Sequence, residues 1–311
     1  MNSTKMRPIR AGFMVLAAGI VAIAFANSIS ARAQGTNAGS SAATAQQSAN
    51  NLLKTMNQPV APFRIIGNIY YVGASDIGSY LIVTPQGDIL LDGGFAETAP
   101  QIEANIKTLG FKITDVKFIL NSHAHLDHAG GIGEVRKASG GKFVAMEQDV
   151  PALEEGKSFP ATKPDRVIHD GETVTVGGAT MTAHLTPGHT KGDTTWTTTV
   201  RDGERTLHVV FVGSATVLPQ YKLIDRPGAP ATYPGIEQDY EKTFRVLKSL
   251  PCDVFLAAHG SMYSLVDKRR VMDAKTSTQN PFIDPWGYQA YILDAEGVFL
   301  KELQKEKASA K

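Results

Sequence analysis

The chain has 311 residues, of which 42% are hydrophobic and 20% charged, and its formal net charge at pH 7 is +1. This composition excludes a disordered or collagen-like chain and is sufficient to bury a substantial core. The balanced charge, with no run of five like charges, indicates no basic surface, so we expect no nucleic-acid partner.

The first 33 residues have the pattern of a secretory signal peptide. Three basic residues among the first ten precede an apolar stretch from Ala11 to Ala26, and the small-x-small sequence at 31–33 is typical of a cleavage site. The alternative, an uncleaved membrane anchor, would need about 20 apolar residues. We therefore expect export to the periplasm, cleavage, and no stable membrane anchor afterwards.

Residues 34–60 are rich in Ala, Ser, Asn and Gln and predict a flexible N-terminal arm, whereas 61–311 predict a single domain. Apolar periodicity, turn residues and helix-end signals define its elements. In chain order they are strands at 64–72, 79–84 and 89–91, a helix at 98–109, a strand at 116–120, a helix at 131–138, strands at 173–176, 180–185 and 207–212, a helix at 240–250, a strand at 254–258, and helices at 265–274 and 286–307.

Paired strands followed by helices occur twice along this domain. The pattern fits an α+β fold in which two sheets pack together with helices outside, a four-layer αββα sandwich. Periodicity alone leaves a three-layer α/β/α fold open.

A cluster of three histidines follows the predicted strand at 116–120. His123, His125 and His128 lie within six residues, with Asp127 among them. Imidazoles this close together are costly unless something coordinates them. In an extended segment His123 and His125 point the same way, whereas Asp127 and His128 enter a turn and reach a different point. The segment therefore predicts ligands for two metal ions.

Two further histidines lie just beyond strand ends. His189 is in Thr186-Pro187-Gly188-His189-Thr190, and His259 follows the strand at 254–258. A catalytic zinc typically takes three protein ligands and leaves a position for water, so both residues are candidates for the missing ligands. Such nitrogen and oxygen ligands suit zinc and also iron or manganese. The remaining histidines, expected to be structural or surface residues, are His169, His184 and His208.

The sequence from His123 to His128 resembles the signature His-x-His-x-Asp-His of the metallo-β-lactamase superfamily. The resemblance extends from about Phe63 to the C-terminus and includes Leu91-Asp92-Gly93-Gly94, the His189 segment and His259. It implies the αββα sandwich in preference to the three-layer fold.

One position differs from many members of the superfamily and indicates which subgroup this chain resembles. Many members, including hydroxyacylglutathione hydrolases and acyl-homoserine lactonases, carry a metal-bridging Asp after the strand that corresponds to 207–212, where this chain has Ser214. The combination of His123, His128 and Ser214 resembles the third subclass of metallo-β-lactamases. That resemblance implies two Zn²⁺ per chain, the first held by His123, His125 and His189 and the second by Asp127, His128 and His259.

The resemblance also implies an activity. A metal-bound hydroxide would hydrolyse the amide bond of β-lactam antibiotics, including penicillins, cephalosporins and carbapenems. Asp127 would orient that hydroxide, and Ser214 and Thr216 are candidates for contact with the substrate carboxylate. We expect a β-lactam as the small-molecule partner and a monomer in solution. Asp193, four residues after His189, is unusual at a position where Gly or Cys is commoner.

The sequence leaves open three alternatives to β-lactam hydrolysis. An exported metallo-hydrolase of the same fold could act on lactones or other esters, because pocket shape decides among activated carbonyls. An iron-dependent dioxygenase could use the same ligands. A periplasmic zinc-binding protein without activity is the non-enzymatic alternative. Turnover and metal content distinguish them.

Overall fold

In the computed structural model, residues 51–310 are described, and they form two packed β-sheets. The first sheet contains β1 to β7 in chain order, antiparallel up to β4 and parallel from there. The second has the order β12-β11-β10-β9-β8 and is parallel only between β11 and β12. The strands are β1 Phe63–Ile66, β2 Ile69–Tyr71, β3 Tyr80–Ile82, β4 Asp88–Leu91, β5 Val116–Leu120, β6 Lys142–Met146, β7 Arg166–Ile168, β8 Thr173–Val176, β9 Ala179–Leu185, β10 Thr194–Asp202, β11 Arg205–Val212 and β12 Val254–Ala257.

Helices cover the outer face of each sheet. They are α1 Ala99–Thr108, α2 Leu126–Ala129, α3 Ile132–Ser139, α4 Val150–Glu155, α5 Ile236–Ser249, α6 Leu265–Ala274 and α7 Pro285–Ser309. On the first sheet, Leu90 packs with Ile102 of α1 and Val135 of α3. Its neighbour Leu91 belongs to the core between the sheets, as the alternation along a strand requires. On the second sheet, the ring of Phe255 makes an edge contact with Tyr288 of α7, with the centroids 5.4 Å apart. This arrangement confirms the predicted αββα sandwich.

The structure divides the predicted strand at 64–72 into a hairpin. Gly67 has a φ of 53° and, with Asn68, forms the turn between β1 and β2. Glycine enters this left-handed region without the steric cost that a Cβ would bring. The side-chain amide of Asn68 donates a hydrogen bond to the carbonyl of Val83, 2.7 Å away. This bond holds the turn against the end of β3.

Several elements were not predicted from the sequence: β6, β7, β10, α2 and α4. The longest is β10, whose sequence Thr-Thr-Trp-Thr-Thr-Thr-Val-Arg-Asp is rich in threonine. Threonine is polar but β-branched, so its side chain fits a strand although its hydropathy indicates a surface.

The described part of the predicted flexible arm is attached to the domain. Residues 51–56 are helical, and Met56 packs in a small apolar cluster with Ala74, Ile77 and Phe95. The rest of the arm and the predicted signal peptide lie outside the described residues. None of the helices within residues 51–310 has the length and apolar character needed to cross a membrane.

Tyr80 joins the two sheets beside the loop that carries His259. Its hydroxyl donates a hydrogen bond to the carbonyl of Ala257, 2.6 Å away, and lies 3.0 Å from the Tyr263 hydroxyl. Its ring makes an edge contact with Phe211, with the centroids 5.1 Å apart. Because Tyr80 is fully buried, water cannot replace these hydrogen bonds.

We expect Tyr80→Phe to lower the free energy of unfolding by about 1–3 kcal/mol, because a buried carbonyl loses its donor. Equilibrium urea unfolding of the metal-free protein measures the change. Tyr70→Phe is the matched control, since no described residue makes a hydrogen bond with the Tyr70 hydroxyl. Equal stability of the two variants would contradict the prediction.

Candidate metal centre

All six predicted ligands meet at one end of the sandwich. His123 and His125 follow β5, and Asp127 and His128 lie in the short helix α2. His189 follows β9 and His259 follows β12. Each ligand is therefore in a loop or first helical turn just beyond a strand, where the rigid sheets hold the backbone.

His123, His125 and His189 form the first group. Their ring centroids are 4.8, 4.8 and 4.6 Å apart, and each ring offers one nitrogen to a common point. The Nε2 atom of His123 is buried and has no hydrogen-bond partner among the described residues. Three convergent imidazole nitrogens, one of them otherwise unpaired, match the ligand set of a catalytic zinc.

Asp127, His128 and His259 form the second group. The Nε2 atoms of the two histidines lie 3.2 Å apart, and each is 3.5 Å from Oδ2 of Asp127. The other carboxylate oxygen, Oδ1, is buried and finds no hydrogen-bond partner within residues 51–310. A divalent cation among these atoms would satisfy both ring nitrogens and the carboxylate, so the residues present fit a second metal ion.

Two of the histidines have a hydrogen-bond acceptor at the other ring nitrogen, Nδ1. Such an acceptor holds the Nδ1 hydrogen and leaves Nε2 free for a metal ion. The Nδ1 atom of His259 lies 3.1 Å from Oδ2 of Asp76, and that of His189 lies 2.8 Å from the carbonyl oxygen of Thr216. Nδ1 of His128 lies 3.3 Å from Oδ2 of Asp92 without forming a hydrogen bond, so the attraction there is electrostatic.

Asp92 connects the ends of β4 and β5 behind the site. Its Oδ1 accepts hydrogen bonds from the Ser122 amide at 2.7 Å and the Asn121 side chain at 3.2 Å. Its Oδ2 accepts one from the Ser122 hydroxyl at 2.7 Å. Asp92 also has a φ of 64°, which is costly for a residue with a Cβ. This one side chain therefore anchors the segment that begins the histidine cluster.

Asp149 joins that segment to the loop of His189. Its buried carboxylate accepts hydrogen bonds from the amides of Ala124 and Gly192 at 2.8 and 2.7 Å, and from the Thr190 hydroxyl at 2.8 Å. These contacts set the distance between the two ligand-bearing loops.

His123 faces two groups at Nδ1. The Ser122 hydroxyl oxygen lies 3.1 Å away and Oδ2 of Asp193 lies 3.6 Å away. Burial raises the pKa of Asp193 well above the ordinary carboxyl value, against hydrogen bonds from the Ser214 amide and the Thr186 hydroxyl. A divalent cation on the histidines would act in the opposite direction.

Burial keeps the first group of histidines neutral. It lowers the pKa of His123 and of His189 well below the ordinary value, and the charges of neighbouring imidazoles add to the effect. It also lowers the pKa of His125 to about 4, against the charge of Asp127. The neutral imidazole is the form that binds a metal ion, so these rings are ready to coordinate at pH 7.

The second group has the opposite electrostatics. Burial disfavours the charged form of His259, but the hydrogen bond and charge of Asp76, together with other nearby carboxylates, outweigh it and raise its pKa. Burial likewise disfavours the charged form of Asp127, but three neighbouring imidazoles lower its pKa. The carboxylate of Asp127 therefore supplies negative charge for a second cation, and His259 releases its proton when the ring binds that cation.

The two candidate substrate residues lie beside the first group. The Ser214 hydroxyl is buried and accepts a hydrogen bond from the Thr216 amide at 3.2 Å. The carbonyl of Thr216 accepts hydrogen bonds from His189 and from the Tyr240 hydroxyl, both at 2.8 Å. Thr216 thus holds a ligand through its backbone, a role without a sequence signal. Contact of either hydroxyl with substrate stays a prediction.

Comparison with known proteins gives the family. The family model described as the metallo-beta-lactamase superfamily matches residues 73–259, which is more than half of the chain and includes all six ligands. The chain belongs to the metallo-β-lactamase superfamily and is a hydrolase of that family. The resemblance seen at His123 to His128 is confirmed.

Two solved structures of metallo-β-lactamases match almost their entire length. FEZ-1 from Legionella gormanii is 43% identical with a TM-score of 0.77, and the match covers 81% of this chain and 98% of that chain. BJP-1 of Bradyrhizobium japonicum, described as subclass B3, is 41% identical with a TM-score of 0.77, covering 83% and 99%.

The curated relatives match over shorter ranges. The N-acyl homoserine lactonase AttM of Rhizobium radiobacter is 29% identical in an alignment of 153 residues, and the match covers 36% of this chain and 56% of the relative. The chain spans about half the length of the curated relatives it matches.

In the metal-free protein, we expect the His125 imidazole to titrate near pH 4 rather than at the ordinary 6.5, because burial disfavours its charge. The unfolded chain takes up this proton at the ordinary value. The contribution of His125 to the free energy of unfolding should therefore decrease as the pH falls from about 6.5 to about 4.

An NMR titration of the ring Cε1–H, in the presence of a chelator, measures this pKa. The variant His125→Gln assigns the resonance by its disappearance. A midpoint near 6.5 would show that the ring is not held in its neutral form by the fold.

Proposed function

We propose that this chain is a zinc-dependent β-lactamase that hydrolyses the amide bond of penicillins, cephalosporins and carbapenems. The observation that carries the proposal is the convergence of His123, His125 and His189 at one point, and of Asp127, His128 and His259 within 3.5 Å of one another, in a chain that is 41–43% identical to metallo-β-lactamases over almost their whole length. Ser214 supports it, since it occupies the place where lactonases and thioesterases of the fold carry a bridging Asp.

The proposal includes two zinc ions per chain. His123, His125 and His189 would hold the first, and Asp127, His128 and His259 the second. Bound zinc supplies a water of pKa near 7 and polarises a carbonyl oxygen. The unpaired Oδ1 of Asp127 can accept a hydrogen bond from an attacking water and so orient it toward the lactam carbonyl.

The remaining residues of the site position these ligands. Asp76 holds Nδ1 of His259 and the carbonyl of Thr216 holds Nδ1 of His189, while the charge of Asp92 lies 3.3 Å from Nδ1 of His128. Ser214 and Thr216 are proposed to contact the substrate carboxylate directly or through water. The Tyr221 hydroxyl donates a 2.6 Å hydrogen bond to the His189 carbonyl, which joins the segment after Thr216 to the loop of His189.

We also propose that the protein is exported to the periplasm by residues 1–33 and acts there as a monomer. The sequence pattern of the first 33 residues supports export. A periplasmic enzyme would intercept β-lactams before they reach their targets outside the cytoplasmic membrane.

Zinc-loaded mature protein should hydrolyse a carbapenem and nitrocefin. The change in absorbance of each substrate measures the rate of hydrolysis. A chelator should abolish the turnover and added zinc should restore it. Asp127→Asn should lower kcat by about 100-fold or more, because it removes the negative charge and leaves one oxygen in place of the two that would bind the metal ion and orient the water. Glu204→Gln, in the exposed turn between β10 and β11, is the control and should be unchanged.

An acyl-homoserine lactone and a thioester are the substrates that test the ester-hydrolase alternative. Turnover of one of these by zinc-loaded protein, with no β-lactam turnover, would replace the proposal with the ester-hydrolase alternative.

Metal analysis after gel filtration should find two zinc ions per chain. His189→Ala and His259→Ala should each lose one, because each removes a ligand from a different group. His208→Ala is the control, since His208 is exposed and pairs only with Asp253, 3.1 Å away. One iron per wild-type chain would instead favour the dioxygenase alternative.

A further inference from the structure

Asp193 is a buried carboxylate with one oxygen unexplained by the fold. Its Oδ1 accepts hydrogen bonds from the Thr186 hydroxyl at 3.0 Å and the Ser214 amide at 3.1 Å. Its Oδ2 is buried without a hydrogen-bond partner among residues 51–310 and lies 3.6 Å from Nδ1 of His123. His123 is the one cationic or imidazole side chain that the described structure places within 4.0 Å of this carboxylate.

The position of the carboxylate is closely determined. The residue is fully buried, and its backbone carbonyl accepts a hydrogen bond from the Thr186 amide at 2.8 Å. A Cβ at residue 213 would lie 2.4 Å from Oδ1, so the glycine found there makes room for the acid. Leaving a carboxylate oxygen unpaired in such a place is costly. A positive charge on the far side of the His123 ring would offset the free-energy cost of this unpaired oxygen.

Two of the other candidate ligands also have a carboxylate close to Nδ1. His128 and His259 each have a carboxylate behind Nδ1, at 3.3 and 3.1 Å. The Ser122 hydroxyl donates its own hydrogen to Asp92, so its oxygen, 3.1 Å from Nδ1 of His123, can accept the hydrogen of that ring but brings no charge to it. Oδ2 of Asp193 is thus the uncommitted carboxylate oxygen that faces His123.

We propose that Asp193 is a positioning residue for the first metal ion. Its Oδ2 lies on the Nδ1 side of His123, where the Ser122 hydroxyl oxygen accepts the Nδ1 hydrogen, and its charge favours the ring orientation that directs Nε2 toward the point shared with His125 and His189. Its negative charge stabilises a cation at that point through the ring. The inference rests on the metal-binding part of the proposed function and is independent of the substrate.

The test is the isosteric variant Asp193→Asn. Asn keeps an oxygen for the Ser214 amide and the Thr186 hydroxyl, but its amide nitrogen then faces Nδ1 of His123, so that two donors oppose each other. We expect the zinc affinity of the first group to fall about 10- to 100-fold, with the second group unchanged. Competition against a chromophoric chelator measures both dissociation constants.

A spectroscopic measurement separates positioning from general loss of structure. In cobalt(II)-substituted protein, the Nδ1 hydrogen of a coordinated histidine gives a strongly shifted, solvent-exchangeable NMR signal. The His123 signal should exchange slowly in the wild type, because an acceptor holds its hydrogen. In Asp193→Asn it should shift or disappear by exchange, while the signals of His128 and His259 remain.

Asp88→Asn is the matched control. Asp88 is also a buried carboxylate and lies at the opposite end of β4 from Asp92, where it accepts a hydrogen bond from the Thr84 amide at 3.1 Å. This variant should bind both ions as the wild type does. If Asp193→Asn does not fold, Asp193→Ser keeps a hydroxyl near the Ser214 amide and should show the same weakening.

The outcomes are distinct. Wild-type zinc affinity in Asp193→Asn or Asp193→Ser, or a His123 signal that exchanges rapidly in the wild type, would overturn the role of Asp193. Equal weakening in Asp88→Asn would also overturn it, since any buried charge change would then suffice. Failure of the wild type to bind a metal ion at the first group would overturn the zinc proposal itself, and this inference with it.

Discussion

The whole site depends on the hydrogen bonds that the buried carboxylate of Asp92 accepts. They join the end of β4 to Asn121 and Ser122 at the end of β5, directly before the histidine cluster. The same carboxylate faces Nδ1 of His128 at 3.3 Å. A φ of 64° costs free energy at a residue with a Cβ, and the surrounding bonds offset it. The strain places both oxygens where backbone, hydroxyl and imidazole can all reach them.

A framework of acids, buried except for the half-buried Asp76, extends from this point. Asp76 stands behind His259, Asp149 joins the loops of His123 and His189, and Asp193 faces His123. Buried carboxylates and crowded imidazoles are each unfavourable in a dry interior. Together they surround a volume where two divalent cations would balance their charges. Metal binding should therefore stabilise the fold as well as supply the chemistry.

Much of this centre could be predicted from the sequence because its signal is local. Four ligands lie in six consecutive residues, and His189 and His259 each follow an apolar strand by a few residues. The carboxylates behind the histidines carried no such signal. Asp76 lies 183 residues from His259 along the chain, and nothing in its neighbourhood indicates that contact. The hairpin at Gly67 and the threonine-rich β10 were missed because turn chemistry and β-branched polar residues are weak signals in an apolar pattern.

The sequence by itself determined the family and the layered fold and predicted the six candidate ligands, since residue spacing and strand periodicity carry that information without knowledge of long-range contacts. Only the tertiary structure decided which acids hold which rings. It also assigned a role to the Thr216 carbonyl and left one oxygen of Asp193 unpaired beside His123. The reason is physical: hydrogen bonds across a core depend on side-chain positions within a few tenths of an ångström, and these are set by packing between segments that are distant in the chain.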